Sequence, residues 1–153
     1  MSYSILTESL AENLEELKPL LPLHYEELAL DQEKVPLDPQ YEVYLEREAR
    51  GELLFVIVRD EEKALAGYYI GFISPGLHYQ TCLTCITDIF YLKQDARGGG
   101  LGVRLFQFVE RELKSRGVDR WFVGSKWHKD ASKLFEYLGF GKVETYYSKY
   151  LGD

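Results

Sequence analysis

The sequence predicts an α/β (α+β) domain in which a mixed, mostly antiparallel central sheet is flanked by helices on both faces. Three observations predict it. Leu53–Val58 and Ala64–Ile73 are apolar runs joined by the charged stretch Arg59-Asp-Glu-Glu-Lys63, the pattern of an antiparallel hairpin covered on both sides. A third run, about Tyr79 to Leu92, leads into a glycine-rich turn and then into Leu101, Leu105, Phe108, Val109 and Leu113 at helical spacing. Arg120–Ser125 reads as the next strand, so the helix connects two strands in a βαβ relation. A chain of 153 residues suits one domain with its own core.

The remaining elements follow in order. Tyr3–Thr7 reads as a short first strand. Thr7 or Ser9 then caps a helix that reaches Lys18, with Leu10, Leu14 and Leu17 on one face. Pro19 and Pro22 are expected to end it, leaving residues 19–39 as a loop with at most a helical turn at His24–Leu30. Asp38-Pro39 reads as the cap and first position of another helix, which carries Tyr41, Tyr44 and Leu45 to Arg50 and stops at Gly51. After Arg120–Ser125 comes a short helix, about Asp130 to Leu138, with Ala131, Leu134, Phe135 and Leu138 inward and Gly139 at its end. Two closing strands are expected at about Gly141–Glu144 and Tyr146–Leu151.

Composition narrows the function. Hydrophobic residues make up 46% and aromatics 14%, which argues against disorder. No apolar run approaches the roughly 20 residues of a membrane span, and the N-terminus shows no basic region followed by an apolar one, so no membrane partner and a cytoplasmic location are expected. Cys82 and Cys85 form one C-x-x-C inside a strand-like stretch. Residues three apart on a strand face opposite ways and no second pair exists, so packing thiols and no metal site are expected. Net charge is −7, from 18 basic and 25 acidic residues. Residues 1–50 carry 12 acidic and 4 basic side chains, whereas residues 93–133 carry 10 basic and 5 acidic. The acid excess excludes nucleic acid as the expected partner. The asymmetry suits a phosphate-rich ligand near the glycine turn and a cationic one opposite; solvated acidic helices account for it equally well.

The turn itself is Arg97-Gly98-Gly99-Gly100-Leu101-Gly102, between strand and helix. Glycine permits positive φ and close backbone approach, and the first N–H groups of a helix lack intrahelical acceptors and favour an anion. Gly98, Gly99, Gly100 and Gly102 therefore suit a backbone cradle for a diphosphate, with Arg97 as a charged donor. No Lys-Ser/Thr follows the glycines and no G-x-G-x-x-G register fits, so neither the P-loop nor the dinucleotide fingerprint is present. Read alone, three glycines are as compatible with a plain surface turn.

Arg97-x-x-Gly100-x-Gly102, after a strand and opening a helix, resembles the acetyl-CoA signature Gln/Arg-x-x-Gly-x-Gly/Ala of the GNAT N-acetyltransferase superfamily. Ala131-x-x-x-Phe135-Glu-Tyr-Leu-Gly-Phe140 resembles that family's next helix, and the likeness in order and spacing runs over about residues 50 to 150. The resemblance implies a single GNAT-like domain over 1–153, with variable acceptor-side helices in 1–50 and the core and CoA site in 51–153. It implies acetyl-CoA as co-substrate, bound along Tyr91, Leu92, Arg97, Gly98, Gly99, Gly100, Leu101 and Gly102, with the pantetheine arm entering where the central strands splay. A backbone N–H near Tyr91 or Leu92 would polarise the thioester. The acceptor would be the amine of a small molecule or peptide.

Transfer to an amine needs a group to take its proton and a way to release the thiolate. Asp88, nine residues before Arg97, is the candidate base, because several family members carry a glutamate here that works through water. Its other reading is a structural carboxylate or one that orients a cationic substrate. For the thiolate, the family often uses a tyrosine in Asn-x-x-Ala-x-x-x-Tyr. This chain has His128-Lys-Asp-Ala131-Ser-Lys-Leu-Phe135, so the proton donor is missing at 135 and histidine stands at the asparagine position. His128, or Tyr146, Tyr147 or Tyr150, could supply the proton. Alternatively the thiolate leaves unassisted, since its conjugate acid has a pKa of about 8.5, or the chain binds CoA without catalysis. Trp127 is expected in the core. The aromatic tail 146–150 could pair across a homodimer.

Overall fold

The computed structural model describes residues 2–152. The elements are β1 (Ser4–Thr7), α1 (Leu10–Leu17), α2 (Leu20–Leu28), α3 (Tyr41–Ala49), β2 (Leu53–Arg59), β3 (Leu65–Pro75), β4 (Leu83–Leu92), α4 (Leu101–Ser115), β5 (Arg120–Phe122) and α5 (Ser132–Tyr137), with a 3₁₀ turn at Gln94–Ala96. The five strands lie in chain order, and β1 to β4 pair antiparallel. β5 pairs with β4 in parallel, as the βαβ reading requires. The sheet is thus mixed and mostly antiparallel.

β2 shows why the hairpin was readable. Leu53 to Val58 are all at most 4% exposed, and they alternate between two separate cores. Leu54, Val56 and Val58 join Tyr69, Leu101, Leu105, Phe106, Val109 and Phe135 beneath α4 and α5. Leu53, Phe55 and Ile57 join Leu10, Leu17, Tyr68, Ile70 and Tyr91 beneath α1, α2 and α3. Every side chain from Leu53 to Val58 meets an apolar layer, so the polar alternation of a half-solvated strand is missing.

The acceptor-side helices are tied down by polar side chains. Ser9 caps α1, its hydroxyl accepting from the Glu12 N–H at 3.3 Å. Glu48 of α3 adds a carboxylate at the same end, accepting from the N–H groups of Leu10 (2.6 Å) and Ala11 (3.1 Å). Arg59 lies within β2 rather than in the turn expected for it. Its guanidinium, 15% exposed, donates to Glu8, Glu16, Asn13 and the Lys63 carbonyl at 2.7–3.0 Å, which binds α1 and its approach to the sheet.

Several boundaries differ from expectation. Residues 20–28, read as loop, form α2. Pro22 is its third residue, where a missing N–H costs nothing because the first four helical N–H groups have no acceptor anyway. α3 begins at Tyr41 with Gln40 before it, rather than with an Asp38 cap. β4 begins at Leu83, and the run from Tyr79 bends into it. The closing strands expected at Gly141–Glu144 and Tyr146–Leu151 do not form. Phe140 anchors the chain on Trp121 (ring centroids 4.8 Å apart), and the tail then leaves the sheet, with Val143, Tyr146, Tyr147 and Leu151 exposed. Strand propensity is realised only against a neighbouring edge, and this tail is not laid along one.

Candidate active site

The site begins where two strands stop pairing. β4 and β5 are in register only at Thr84–Arg120, Cys85–Trp121 and Ile86–Phe122, yet β4 runs on to Leu92. Residues 87–92 therefore present a strand edge that β5 does not cover. An extended chain of amides could pair along it as an added strand would.

At the end of that edge the chain enters the glycine turn. Gly98 and Gly100 have φ of 92° and 77°, which non-glycine residues adopt at a cost. A methyl added at Gly98, Gly99 or Gly100 would meet no neighbouring atom within 4 Å, so the turn is open on that side. α4 then starts at Leu101 with no side chain capping it, which leaves its first N–H groups to an outside acceptor. A methyl at Gly102 would make only ordinary contacts, 3.8 Å from Leu134 and 3.9 Å from Leu92, in keeping with a Gly/Ala position. The residues present fit a diphosphate. Arg97 behaves otherwise than a free phosphate donor. Its Nε donates to the Leu92 carbonyl at 2.8 Å, its Nη2 donates to Glu27 at 2.8 Å, and its guanidinium lies 5.5 Å from the centre of the Tyr91 ring.

Asp88 is placed by a β-bulge. Ile70 faces Ile89 and Gly71 faces Thr87, so Asp88 is the extra residue of β4. The slip puts Asp88 and Ile89 on the same face, toward α3, while Thr87 and Phe90 belong to the face under α4. Glycine is required opposite: a Cβ at Gly71 would come within 2.6 Å of the Tyr69 hydroxyl and 2.7 Å of Cys85 Sγ. Tyr44 of α3 donates its hydroxyl proton to Asp88 at 2.5 Å, and its ring packs on Phe72. Asp88 stays open to solvent on one side, but the protein atoms crowding its other sides push the carboxyl above its ordinary range, and the Tyr44 hydrogen bond offsets part of this. Tyr44 in turn is held well above the usual phenol range, first by burial and then by Asp88.

His24 extends this polar strip, although a lone histidine in a loop-like stretch gave no sign of it in the sequence. It stands on α2, its Nδ1 2.8 Å from the Tyr68 hydroxyl and its ring stacked 5.0 Å from Tyr91. Burial pushes its pKa down to about 4, so the ring is neutral at neutral pH. Tyr44 comes from α3, 44 positions before Asp88, so no local pattern in the sequence joins the two. A cavity of about 580 Å³ opens beside this strip, lined by Leu23, Glu26, Glu27, Tyr91, Lys93 and Asp95 among others.

The other candidates fall in different places. His128 lies on the loop after β5, its Nε2 2.9 Å from the Leu28 carbonyl at the end of α2, and no contact joins it to Asp88. Phe135 is 6% exposed, enclosed by Phe90, Phe106 and Phe140, so the position that would supply a tyrosine proton supplies only packing. Tyr137 points away, 74% exposed, and Trp127, expected in the core, is 94% exposed. Four of the N-terminal acids are engaged within the fold: Glu8 and Glu16 on Arg59, Glu48 at α1, Glu27 on Arg97 and Lys129.

The arrangement offers an anion cradle at a helix start, an uncovered strand edge, and a carboxylate of raised pKa on the facing side. A sequence profile described as the acetyltransferase (GNAT) family matches residues 17–140. No curated protein matches the sequence significantly. Among solved structures, a ribosomal-protein-alanine N-acetyltransferase from Brucella melitensis biovar Abortus 2308 superposes with a TM-score of 0.77 at 18% identity, over 100% of both chains. Glucosamine-6-phosphate N-acetyltransferase from Arabidopsis thaliana gives 0.73 at 14% identity, over 99% of this chain and 100% of that one. A Clostridium acetobutylicum protein described as a predicted acetyltransferase with acetyl-CoA gives 0.68 at 11%, over 97% and 96%. At such identities the likeness is one of fold. With 124 of its 153 residues matched by the family profile, the chain belongs to the GNAT acetyltransferase family.

Proposed function

We propose that this protein moves an acetyl group from acetyl-CoA to a primary amine by direct attack within a ternary complex. One observation carries the reading: the strand edge at 87–92, which β5 leaves uncovered, runs from the bulge that presents Asp88 to the uncapped start of α4. When bound, acetyl-CoA supplies an acyl group activated as a thioester. The N–H groups of Gly98 to Gly102 hold its diphosphate, and the backbone of Tyr91 and Leu92 orients its arm and polarises the carbonyl. Asp88 takes a proton from the acceptor's ammonium group, directly or through a water on its open side, so that the free amine attacks the thioester carbon, and Tyr44 holds the carboxylate in place. His128, on the loop after β5, is assigned to the departing thiolate.

The acceptor is a cationic amine of a small molecule or peptide. With Glu27 paired to Arg97 and Lys129, the cavity beside the strip still carries Glu26 and Asp95 against Lys93, which supports that class. The burial of Phe135 favours a second reading, a CoA-binding module without catalysis that serves as a sensor or interaction domain. Incubation with acetyl-CoA and a panel of polyamines, aminoglycosides and peptide amines, with free thiol followed over time, separates the two. Thiol release that depends on one amine class supports transfer. Stoichiometric acetyl-CoA binding with no release across the panel supports the module.

A further inference from the structure

The end of α2 reaches across the mouth of the gap and grips both of its walls. On the β4 side, Glu27 accepts from Arg97 Nη2 at 2.8 Å. On the β5 side, the same carboxylate lies 3.5 Å from Lys129 Nζ, and the next residue, Leu28, offers its carbonyl to His128 Nε2 at 2.9 Å. The Glu27 side chain is only 17% exposed. Arg97 and Lys129 hold its carboxyl below the ordinary carboxylate range, so it is ionised whenever the site is at work. Three polar contacts from two consecutive residues thus close α2 over the place where the phosphate-binding turn and the loop after β5 come nearest to it.

We infer that Glu27 is an internal anion that occupies Arg97 and Lys129 until the phosphates of coenzyme A displace it, releasing the end of α2 and widening the acceptor cavity. The inference rests on the acetyl-CoA reading given above. Its logic is charge exclusion. A diphosphate settling at Gly98–Gly102 arrives beside Arg97, and a carboxylate already there repels it. The two anions cannot share the pair of cations at full strength, so one leaves. When Glu27 leaves, α2 loses its ion pairs to both walls, and the cavity that Leu23, Glu26 and Glu27 line from that helix widens. Glu27 is a positioning residue in this scheme and touches neither reacting group.

The test compares coenzyme A affinity by calorimetry in the parent, Glu27→Gln and Glu26→Gln. Glu26 is an exposed neighbour on α2 that removes the same charge without the ion pairs. E27Q is expected to tighten coenzyme A binding about fivefold, the scale of one partly exposed ion pair no longer competing, with E26Q within about twofold of the parent on the same scale. Hydrogen exchange across Leu20–Leu28 should rise in the parent on adding coenzyme A, and should already be raised in E27Q without it. Weaker or unchanged binding in E27Q, an equal gain in E26Q, or protection of α2 by coenzyme A overturns the latch while leaving the acetyl-CoA reading intact. A parent that binds no coenzyme A overturns both.

Discussion

Replacing Asp88 by asparagine separates the chemistry from the scaffold. The change keeps shape, and the Tyr44 hydroxyl still finds an oxygen to donate to, so the bulge and the α3 contact persist. What is lost is proton affinity. General-base contributions run from about 10² to 10⁴ in rate. Asp88 is open to solvent on one side, so bulk water can take over part of its task, which places the expected fall in kcat/KM near the low end, about 100-fold or roughly 2.7 kcal/mol. Acetyl-CoA affinity should hold within about twofold on the calorimetric scale, because the turn at 97–102 draws no support from this side chain. Stability should move the other way. The folded carboxyl has a raised pKa, so the native state holds its proton more tightly than the unfolded chain. Stability is then lost as pH climbs from the ordinary carboxylate range through the folded value. Asparagine removes that penalty, and D88N should unfold at a higher temperature than the parent at pH 7. The assays are free-thiol release, calorimetry with acetyl-CoA, and thermal unfolding. Equal turnover in parent and variant, or a fall in acetyl-CoA affinity that matches the fall in rate, refutes the role given to Asp88.

Three further outcomes follow. Gly100→Ala forces a methyl into left-handed backbone at φ 77°, which costs about 1–2 kcal/mol of stability and weakens coenzyme A binding; Gly102→Ala sits in a helix with room for the methyl and should gain up to about 1 kcal/mol in thermal unfolding. Arg59→Met leaves Glu8 and Glu16 facing each other without their shared cation and should cost about 2–4 kcal/mol in urea unfolding at pH 7, since Arg59 and Glu8 are little exposed while Glu16 is partly screened by solvent. His24, at about pKa 4 when folded, protonates more readily in the unfolded chain, so the parent should lose up to about 3 kcal/mol of stability as pH falls from about 6.5 to about 4; His24→Phe should flatten that slope in urea titrations across the window.

The sequence made some of this readable and hid the rest for identifiable reasons. The hairpin of β2 and β3 and the helix α4 were plain because burial on two faces, or on one stripe, writes itself as a continuous or periodic apolar pattern. The glycine turn was plain because backbone chemistry demands glycine there. α2 was missed because proline was read as a terminator, when Pro22 stands at a position with no hydrogen bond to lose. The strands expected after Gly141 failed because propensity is local and pairing is not. Asp88 could be placed by its distance from the turn, but its bulge depends on Gly71 and its partner Tyr44 comes from a helix far back in the chain. Arg59 looked like part of a charged turn, and only the return of α1 across the sheet makes it a hub for Glu8, Glu16 and Asn13.

The alternation of β2 between two cores bears on substitution. Odd-numbered residues from Leu53 to Ile57 belong to one interior and even-numbered residues from Leu54 to Val58 to another, so the hairpin is a party wall between two rooms. Substitutions that repack the core under α1 to α3 therefore act on one set of β2 side chains and leave the other set in its own surroundings.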